Sequence, residues 1–372
     1  MTVASSIDID APMREALALA ASSVGLSEPN PRVGCVIVAT DGTVIGRGHT
    51  QETGGAHAEI MALRDAADRG ADVRGATVVV TLEPCSHHGR TPPCADALVA
   101  AGVNRVVMAM QDPNPLVAGQ GAARLRAAGI DVIDGPCGHE ARELNIGFVS
   151  RMERGRPWLR LKTAVSLDGR TALENGVSQW ITGEAARIDG HAWRRRAGAL
   201  LTGVGTVLDD DPRLDVRLVA TARQPARVIV DSRLQTPLAA RILEPPGQVW
   251  LYAAIDHADR RASLEDKDVA VTTIVSARDK VDLDAMLIHL ASRGVNELHV
   301  EAGEKLNASF LRAGLVDELL VYIAPRLLGS GRALAALGPF ERLDQSLDFR
   351  IVDSALVGDD LRLRLRPRQT LR

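Results

Sequence analysis

The sequence predicts two α/β domains, and three observations carry that prediction. The chain has 372 residues, beyond the usual length of one domain. Along it, short apolar runs of strand character alternate with segments of helical periodicity. The alternation pauses once, over the charged stretch 151–157 with Gly155 and Pro157, and then restarts. The expected domains are therefore 1–150 and 151–372.

In the first half, residues 12–24 read as a helix, with Ala16, Leu17, Ala20 and Val24 at helical spacing. The runs 33–39 and 44–48, split by Asp41-Gly42, have the signature of a hairpin. Helical periodicity returns over 57–69 (Ile60, Met61, Leu63, Ala67) and stops at Gly70. The run 76–82, centred on Val78-Val79-Val80, predicts a buried strand. Pro92-Pro93 before 94–101, with Gly102 after it, predicts a helix with proline at its start and glycine past its end. A strand over 105–110, a helix over 119–128, a strand over 130–133 and a closing helix over 140–153 complete the domain.

The second half repeats the alternation. Strands are expected over 158–165, 199–202, 226–231, 248–253, 269–275, 297–301 and 318–324. Helices are expected over 184–196, 283–293 and 305–313. No repeat relates the halves, and no low-complexity tract occurs.

Composition excludes several functional classes. Hydrophobic residues make up 46% and charged residues 24%, ordinary values for a globular protein. A net charge of −3 argues against a nucleic-acid-binding surface. No run approaches the ~20 apolar residues that span a bilayer, so no membrane partner is expected. The N-terminus MTVASSIDIDAPM has no signal-peptide core, and four cysteines are too few for a disulfide scaffold. A cytoplasmic protein is expected. Cys35 and Cys137 read as small packing residues.

The other two cysteines belong to a metal pattern. His57-Ala58-Glu59 opens one expected helix, Pro84-Cys85 follows a strand, and Cys94 opens the next helix. One imidazole and two thiolates are three zinc ligands, leaving the fourth tetrahedral position open to water, as in a catalytic site. Zinc brings the pKa of that water towards ~7. Glu59, two residues past the histidine, is placed to relay protons without ligating the metal, the division of labour of zinc deaminases. His87 and His88 lie between the cysteines, and either as fourth ligand would instead close a structural site.

Nucleoside and tRNA deaminases space their cysteines as P-C-x-x-C, whereas here eight residues intervene. The string PCSHHGRTPPC, with Asn30-Pro31-x-Val33-Gly34 and Gln111-Asp112-Pro113-Asn114-Pro115, resembles the deaminase domain of the bifunctional riboflavin-biosynthesis deaminase/reductase family. The second half resembles its reductase domain through Leu161-Lys162, Ser166–Thr171 (SLDGRT) and Ser178–Thr182 (SQWIT), then Gly205–Pro212 (GTVLDDDP), Val230-Asp231-Ser232 and Val300-Glu301-x-Gly303.

The resemblance implies a cytidine-deaminase-like three-layer α/β/α domain followed by a dihydrofolate-reductase-like α/β domain. The latter needs no GxGxxG fingerprint, and none occurs. It implies deamination of a diaminopyrimidinone ribosylamino 5′-phosphate to the uracil, then NADPH-dependent reduction of the ribosyl group to ribityl. Carried over position by position, His57, Cys85 and Cys94 hold one Zn2+ and Glu59 moves protons, while Asn30, His87 and Arg90 contact the deaminase substrate. A further substrate histidine is often found seven residues before the HAE motif; Thr50 stands there, with His49 one place earlier.

In the reductase half, Ser178, Arg194, Leu214, Arg217 and Glu301 match substrate positions. Ala164, Trp180, Thr206, Asp210, Ser232, Gly303, Glu304, Lys305, Leu306, Asn307, Ala308 and Ser309 match NADPH positions. A glycine turn into a helix N-terminus at 303–305 also suits a phosphate on physical grounds, and so does an ordinary strand-to-helix turn. Arg194 and Arg217 are candidates for a bidentate phosphate clamp, with solvated surface arginines as the alternative. Lys162 is a candidate catalytic group near the reacting sugar, or else an edge-strand lysine reaching water. The expected partners are a phosphorylated pyrimidine and further copies of the chain, in a dimer or tetramer.

Two other readings remain open at this stage. One is a nucleoside or tRNA-type deaminase whose C-terminal half only binds substrate. The other is a non-enzymatic module with a structural zinc.

Overall fold

The computed structural model describes residues 9–86, 93–276 and 279–368. They divide into two units, Met1–Gly155 and Arg156–Arg372. Among the described residues no helix is long and apolar enough to cross a membrane.

Unit 1 contains α1 (Asp10–Ala21), β1 (Gly34–Val38), β2 (Val44–His49), α2 (Ala58–Asp68), β3 (Thr77–Val80) and α3 (Cys94–Ala101). These are followed by β4 (Arg105–Met108), α4 (Gln120–Ala127), β5 (Asp131–Asp134), α5 (Gly138–Leu144) and α6 (Ile146–Arg154). The sheet order is β2-β1-β3-β4-β5, with β1 antiparallel to both neighbours and β3, β4 and β5 parallel. Strand residues alternate between two cores because successive side chains leave opposite faces. Cys35, Ile37, Val78 and Val80 pack with Ala58, Ala62, Leu98 and Leu125 of α2, α3 and α4. Val36, Val38, Val79 and Val107 pack with Met13, Ala16 and Ala141 of α1 and α5. This is the expected three-layer α/β/α domain.

Glycine sets how near α2 comes to the sheet. A Cβ on Gly48 of β2 would lie 2.2 Å from the carbonyl oxygen of Ala58, so no larger residue fits beneath the first turn of α2. The closing helix differs from the expectation: it is two helices, α5 and α6, broken at Asn145. The side chain of Asn145 pairs with the backbone of Arg32, accepting from its N–H at 2.7 Å and donating to its carbonyl at 2.9 Å. That long-range pairing takes the residue out of helical geometry. α6 then runs to Arg154, and the first unit extends to Gly155.

Unit 2 opens with β6 (Trp158–Ser166), β7 (Arg170–Leu173), α7 (Glu184–Arg196), β8 (Ala199–Gly203), α8 (Val204–Asp210) and β9 (Ala226–Val230). It continues with β10 (Val249–Ala253), α9 (Ala258–Glu265), β11 (Val269–Thr273), α10 (Leu283–Ser292), β12 (Glu297–Val300), α11 (Glu304–Arg312) and β13 (Glu318–Ala324). β14 (Gly331–Ala333), β15 (Phe349–Val357) and β16 (Asp360–Pro367) complete it. The nine-stranded sheet has the order β11-β10-β9-β8-β12-β6-β13-β16-β15, parallel as far as β13 and antiparallel beyond. β7 and β14 form a separate two-stranded ribbon.

One stretch of this sheet is ionic rather than apolar. Arg160 of β6 is 1% exposed and bonds Glu297 of β12 at 2.8 Å and Glu318 of β13 at 2.6 Å. Its guanidinium also stacks on Trp193 of α7, 4.5 Å from the ring centroid. Buried charges of this kind need partners on every side, and the three strands and α7 supply them.

Candidate active sites

In unit 1, two helix starts and one irregular segment deliver the candidate metal-ligating side chains. His57 is the N-cap of α2, in extended conformation, and Glu59 occupies the first turn. Cys94 is the first residue of α3, behind Pro93 as N-cap. Cys85 lies between β3 and α3, outside regular structure. Nδ1 of His57 is 3.6 Å from Cys85 Sγ and 3.3 Å from Cys94 Sγ. The ligand atoms of the three residues all lie within 4.8 Å of one another, and they are the only such group among the described residues.

The donor set and its charge state fit zinc. A hydrogen bond from Cys94 is the first cause that brings the Cys85 thiol down, to about 4, and the same contact pushes Cys94 up. The N-terminus of α3 adds to this, since the backbone N–H of Cys94 donates to Cys85 Sγ at 3.3 Å. Two cysteine sulfurs and an imidazole whose ligand atoms lie this close together are a soft-to-borderline set that suits zinc. Glu59 is 4% exposed; burial, then the charge of Cys85, raises its carboxyl to about 7.

Of the expected deaminase substrate contacts, His87 and Arg90 lie outside the described residues, as does His88. Asn30 is half-buried in the segment before β1, its backbone N–H donating to Ser27 O at 2.8 Å. Thr50 is buried and its hydroxyl accepts from the Val33 N–H at 3.1 Å. His49 Nδ1 is 3.3 Å from Ser23 Oγ and 3.1 Å from the Thr50 carbonyl.

In unit 2 several expected residues follow the carboxyl ends of parallel strands, Thr206 after β8, Ser232 after β9, and Glu301 and Gly303 after β12, where open α/β sheets bind ligands. Glu301, directly after β12, is their centre. It accepts from Arg194 Nε at 2.5 Å and Nη2 at 3.0 Å, with Lys162 Nζ at 3.5 Å and His299 Nε2 at 3.3 Å. Burial raises its pKa, but Arg194 and Lys162 outweigh that and hold the carboxyl well below the usual range. Lys162 lies on β6 between β12 and β13, so the edge-strand alternative does not apply. Its ammonium sits 5.7 Å from the ring centroid of Tyr322, whose hydroxyl donates to Asp189 of α7 at 2.5 Å.

The structure commits Arg194 more fully than the sequence implies. Two of its nitrogens serve Glu301 and the third donates to the Asp215 carbonyl at 2.9 Å. Its bidentate face is thus already filled, and it is 14% exposed rather than solvated. Arg217 is 44% exposed and pairs with the Asp215 carboxylate. Between them Leu214 is buried with φ +47°, a strained conformation for a bulky residue, which such packing enforces.

Asp210 ends α8, where burial, and then the charge of Asp209, raises its carboxyl above the usual range. Trp180 is exposed, with the Arg187 guanidinium 4.8 Å from its ring centroid. Ala164 pairs in register with Tyr322, and Ser232 Oγ accepts from the Val281 N–H at 3.4 Å. Gly303 is the N-cap of α11, where a Cβ would lie 3.7 Å from Thr206 Oγ1. The stretch 303–309 does not form one surface, because a helix turns its residues to different sides. Gly303, Lys305 and Ser309 are exposed, Glu304 and Leu306 intermediate, and Asn307 and Ala308 buried. Among the described residues, buried Asn307 Oδ1 and Thr202 Oγ1 have no hydrogen-bond partner, and such unpaired acceptors suit a polar ligand.

Sequence reasoning did not pick out Glu83, His299, Asp189 or Asp215. Glu83 and His299 each place a polar side chain in or just after a strand of apolar pattern, a signal present in the sequence. Asp189 and Asp215 have no local signature and are defined by their partners.

Comparison with known proteins gives the same division. Residues 7–110 match the cytidine and deoxycytidylate deaminase zinc-binding region, and residues 157–363 the RibD C-terminal domain. The riboflavin biosynthesis protein RibD of Escherichia coli (strain K12) is 46% identical over 366 residues, covering 95% of this chain and 98% of its own. A crystal form of Acinetobacter baumannii RibD superposes with a TM-score of 0.88 at 43% identity, over 97% of this chain and 99% of its own. A diaminohydroxyphosphoribosylaminopyrimidine deaminase/5-amino-6-(5-phosphoribosylamino)uracil reductase from Thermotoga maritima gives 0.85 at 33% identity, over 96% and 98%. The chain belongs to the RibD family of riboflavin biosynthesis proteins.

Proposed function

We propose that this chain catalyses two successive steps of riboflavin biosynthesis. Unit 1 converts 2,5-diamino-6-(5-phosphoribosylamino)pyrimidin-4(3H)-one to 5-amino-6-(5-phosphoribosylamino)uracil with release of ammonia. Unit 2 reduces the ribosyl group of that product to ribityl with NADPH. The observation that carries this reading is the His57–Cys85–Cys94 cluster with a buried carboxyl, Glu59, in the same helix turn as the first ligand. The C-terminal match over 157–363 sets aside the reading in which the second half only binds substrate.

His57, Cys85 and Cys94 hold one zinc ion, which when bound supplies Lewis-acid activation of water near neutral pH. Glu59 takes a proton from the attacking water at a carboxylate oxygen and delivers it to the departing amine. Its raised pKa, about 7, matches a group that must both gain and lose a proton. Asn30, His87 and Arg90 orient the ring and phosphate.

In unit 2, Lys162 is the proton donor beside the reacting sugar, and Glu301 holds its ammonium in place and contacts the substrate. Arg194 fixes Glu301, which leaves Arg217 as the phosphate-facing arginine; Leu214 and Ser178 line the sugar side. Ala164, Trp180, Thr206, Asp210, Ser232 and the exposed side of 303–309 receive NADPH, with the α11 N-terminus towards a cofactor phosphate. The same reading has the working form as a homo-oligomer, a dimer or tetramer, which sedimentation measures.

The decisive experiment supplies the diaminopyrimidinone phosphate with and without NADPH and follows ammonia and NADPH together. Ammonia should appear in both cases, and NADPH should be consumed only after it. Ammonia without any NADPH consumption, in protein whose second unit is folded, would count against the two-step reading.

A further inference from the structure

His57 and Cys94 take their positions from helix starts, but Cys85 has no such support. An irregular segment holds a ligand steadily only if tertiary contacts pin it. On one side the N-terminus of α3 does so, with the Ala95 N–H donating to the Cys85 carbonyl at 3.1 Å and the Cys94 N–H to the sulfur at 3.3 Å. On the other side the pin is Glu83, two residues before the cysteine.

Glu83 is 4% exposed. Its own N–H donates to the Met110 carbonyl at 3.0 Å. Its Oε2 accepts from the N–H groups of Asp112 at 3.1 Å and Gly119 at 2.9 Å, and its Oε1 from that of Ala122 at 3.0 Å. Gly119 is the N-cap of α4 and brings no side chain of its own, so Glu83 caps that helix from 39 positions away. A carboxylate there gains from both the free N–H groups and the helix dipole, which offsets the cost of burying it.

The capped helix in turn closes on the residue between Glu83 and Cys85. A Cβ on Gly121 would lie 1.9 Å from the Pro84 carbonyl oxygen and 3.2 Å from Glu83 Cγ. Glu83 and Pro84 are therefore clamped between the 110–119 segment and the first turn of α4, and the next residue is the ligand.

We propose that Glu83 is a positioning residue of the metal centre: through its three backbone hydrogen bonds it holds Cys85 at the spacing that His57 and Cys94 require. Outer groups that orient metal ligands typically account for roughly 10–100-fold in affinity. The inference rests on Cys85 being a ligand, and the experiment separates the two claims.

Full-length protein is loaded with zinc, and its zinc affinity is measured by competition with a chromophoric chelator. Three variants are compared: Glu83→Gln, Gly121→Ala and Cys85→Ser. In Glu83→Gln the amide oxygen can still accept, but its NH2 group faces an N–H donor, so the clamp loosens at nearly constant volume. Gly121→Ala presses on Pro84 and leaves the carboxylate intact. Both should bind zinc roughly 10–100-fold more weakly, while NADPH oxidation by unit 2 on the deaminated substrate stays at the wild-type rate. Wild-type zinc affinity in Glu83→Gln overturns the proposal, whatever happens to its melting temperature, because that result describes a purely structural carboxylate. If Glu83→Gln does not fold, unchanged affinity in Gly121→Ala overturns it instead. Zinc retained by Cys85→Ser would remove the ligand assignment itself; zinc lost there but kept in the other two removes only the role of Glu83.

Discussion

Cys94 Sγ lies 3.3 Å from His57 Nδ1, although 37 positions separate the two residues. Two helix N-termini, those of α2 and α3, meet at this point on one face of the first sheet. Replacing Cys94 by serine removes one soft ligand of three and leaves both helices intact. Zinc content, measured by elemental analysis, should fall from about one per chain to a small fraction of that. Ammonia release should vanish and NADPH oxidation on the deaminated substrate should persist. Full zinc content in the variant would show that the metal sits elsewhere.

Glu59 shares its helix turn with the ligand His57 but is assigned to the proton rather than to the metal. Glu59→Gln keeps size and burial while removing the titrating group. Ammonia formation should drop by roughly 10²–10⁴-fold, with zinc content unchanged. Loss of zinc together with activity would make Glu59 a ligand or a structural residue.

Lys162 is held between Glu301 at 3.5 Å and the ring of Tyr322. Lys162→Met keeps the length of the side chain and removes its proton. NADPH oxidation on the deaminated substrate should fall by at least about 10²-fold. NADPH binding, followed by fluorescence, should stay near wild type, and ammonia release from unit 1 should be unaffected. A variant with normal reductase turnover would return Lys162 to the role of a packing residue.

The ion network at Arg160 gives unit 2 a defined acid sensitivity. Burial pushes the Glu318 carboxyl up, but Arg160 and Arg364 outweigh it and hold the group at about 2. In the unfolded chain a glutamate titrates near ~4.3. The unfolded state thus binds more protons between these values, so the stabilisation is complete above ~4.3 and shrinks as the pH falls towards 2. The urea midpoint of unit 2 should decline over that window. Arg160→Met leaves Glu297 with Arg196, and Glu318 with Arg364 and Arg366, as their remaining cations, and should cost at most about 3–5 kcal/mol at neutral pH. That penalty should narrow at pH ~3, where the carboxylates are being protonated. An equal penalty at both pH values would place the loss in packing against Trp193 instead.

Much of this protein was legible before any coordinates. The expected bounds 94–101, 184–196 and 318–324 coincide with α3, α7 and β13, because proline, glycine and apolar periodicity are local signals. The metal pattern was legible because HxE, PC and the second cysteine are short motifs in the sequence, although the position of Cys85 depends on tertiary contacts. What was missed has long-range causes. Asn145 breaks the closing helix by bonding Arg32, 113 positions away. β16 alternates leucine with arginine, and those arginines pair with residues such as Glu318 and Asp189 on other elements.

The sequence by itself determined the two α/β domains, the candidate zinc pattern of His57, Cys85 and Cys94 with Glu59, and the family of motifs in the second half. Only the tertiary structure decided how each group is used. It turned Arg194 from a free phosphate clamp into the partner of Glu301, placed Lys162 inside the sheet, and made Glu83 the cap of a helix 39 positions away. The physical reason is that a residue type and its spacing fix which bonds a side chain can make. Which of them it does make depends on the donors and acceptors that folding brings within about 3 Å.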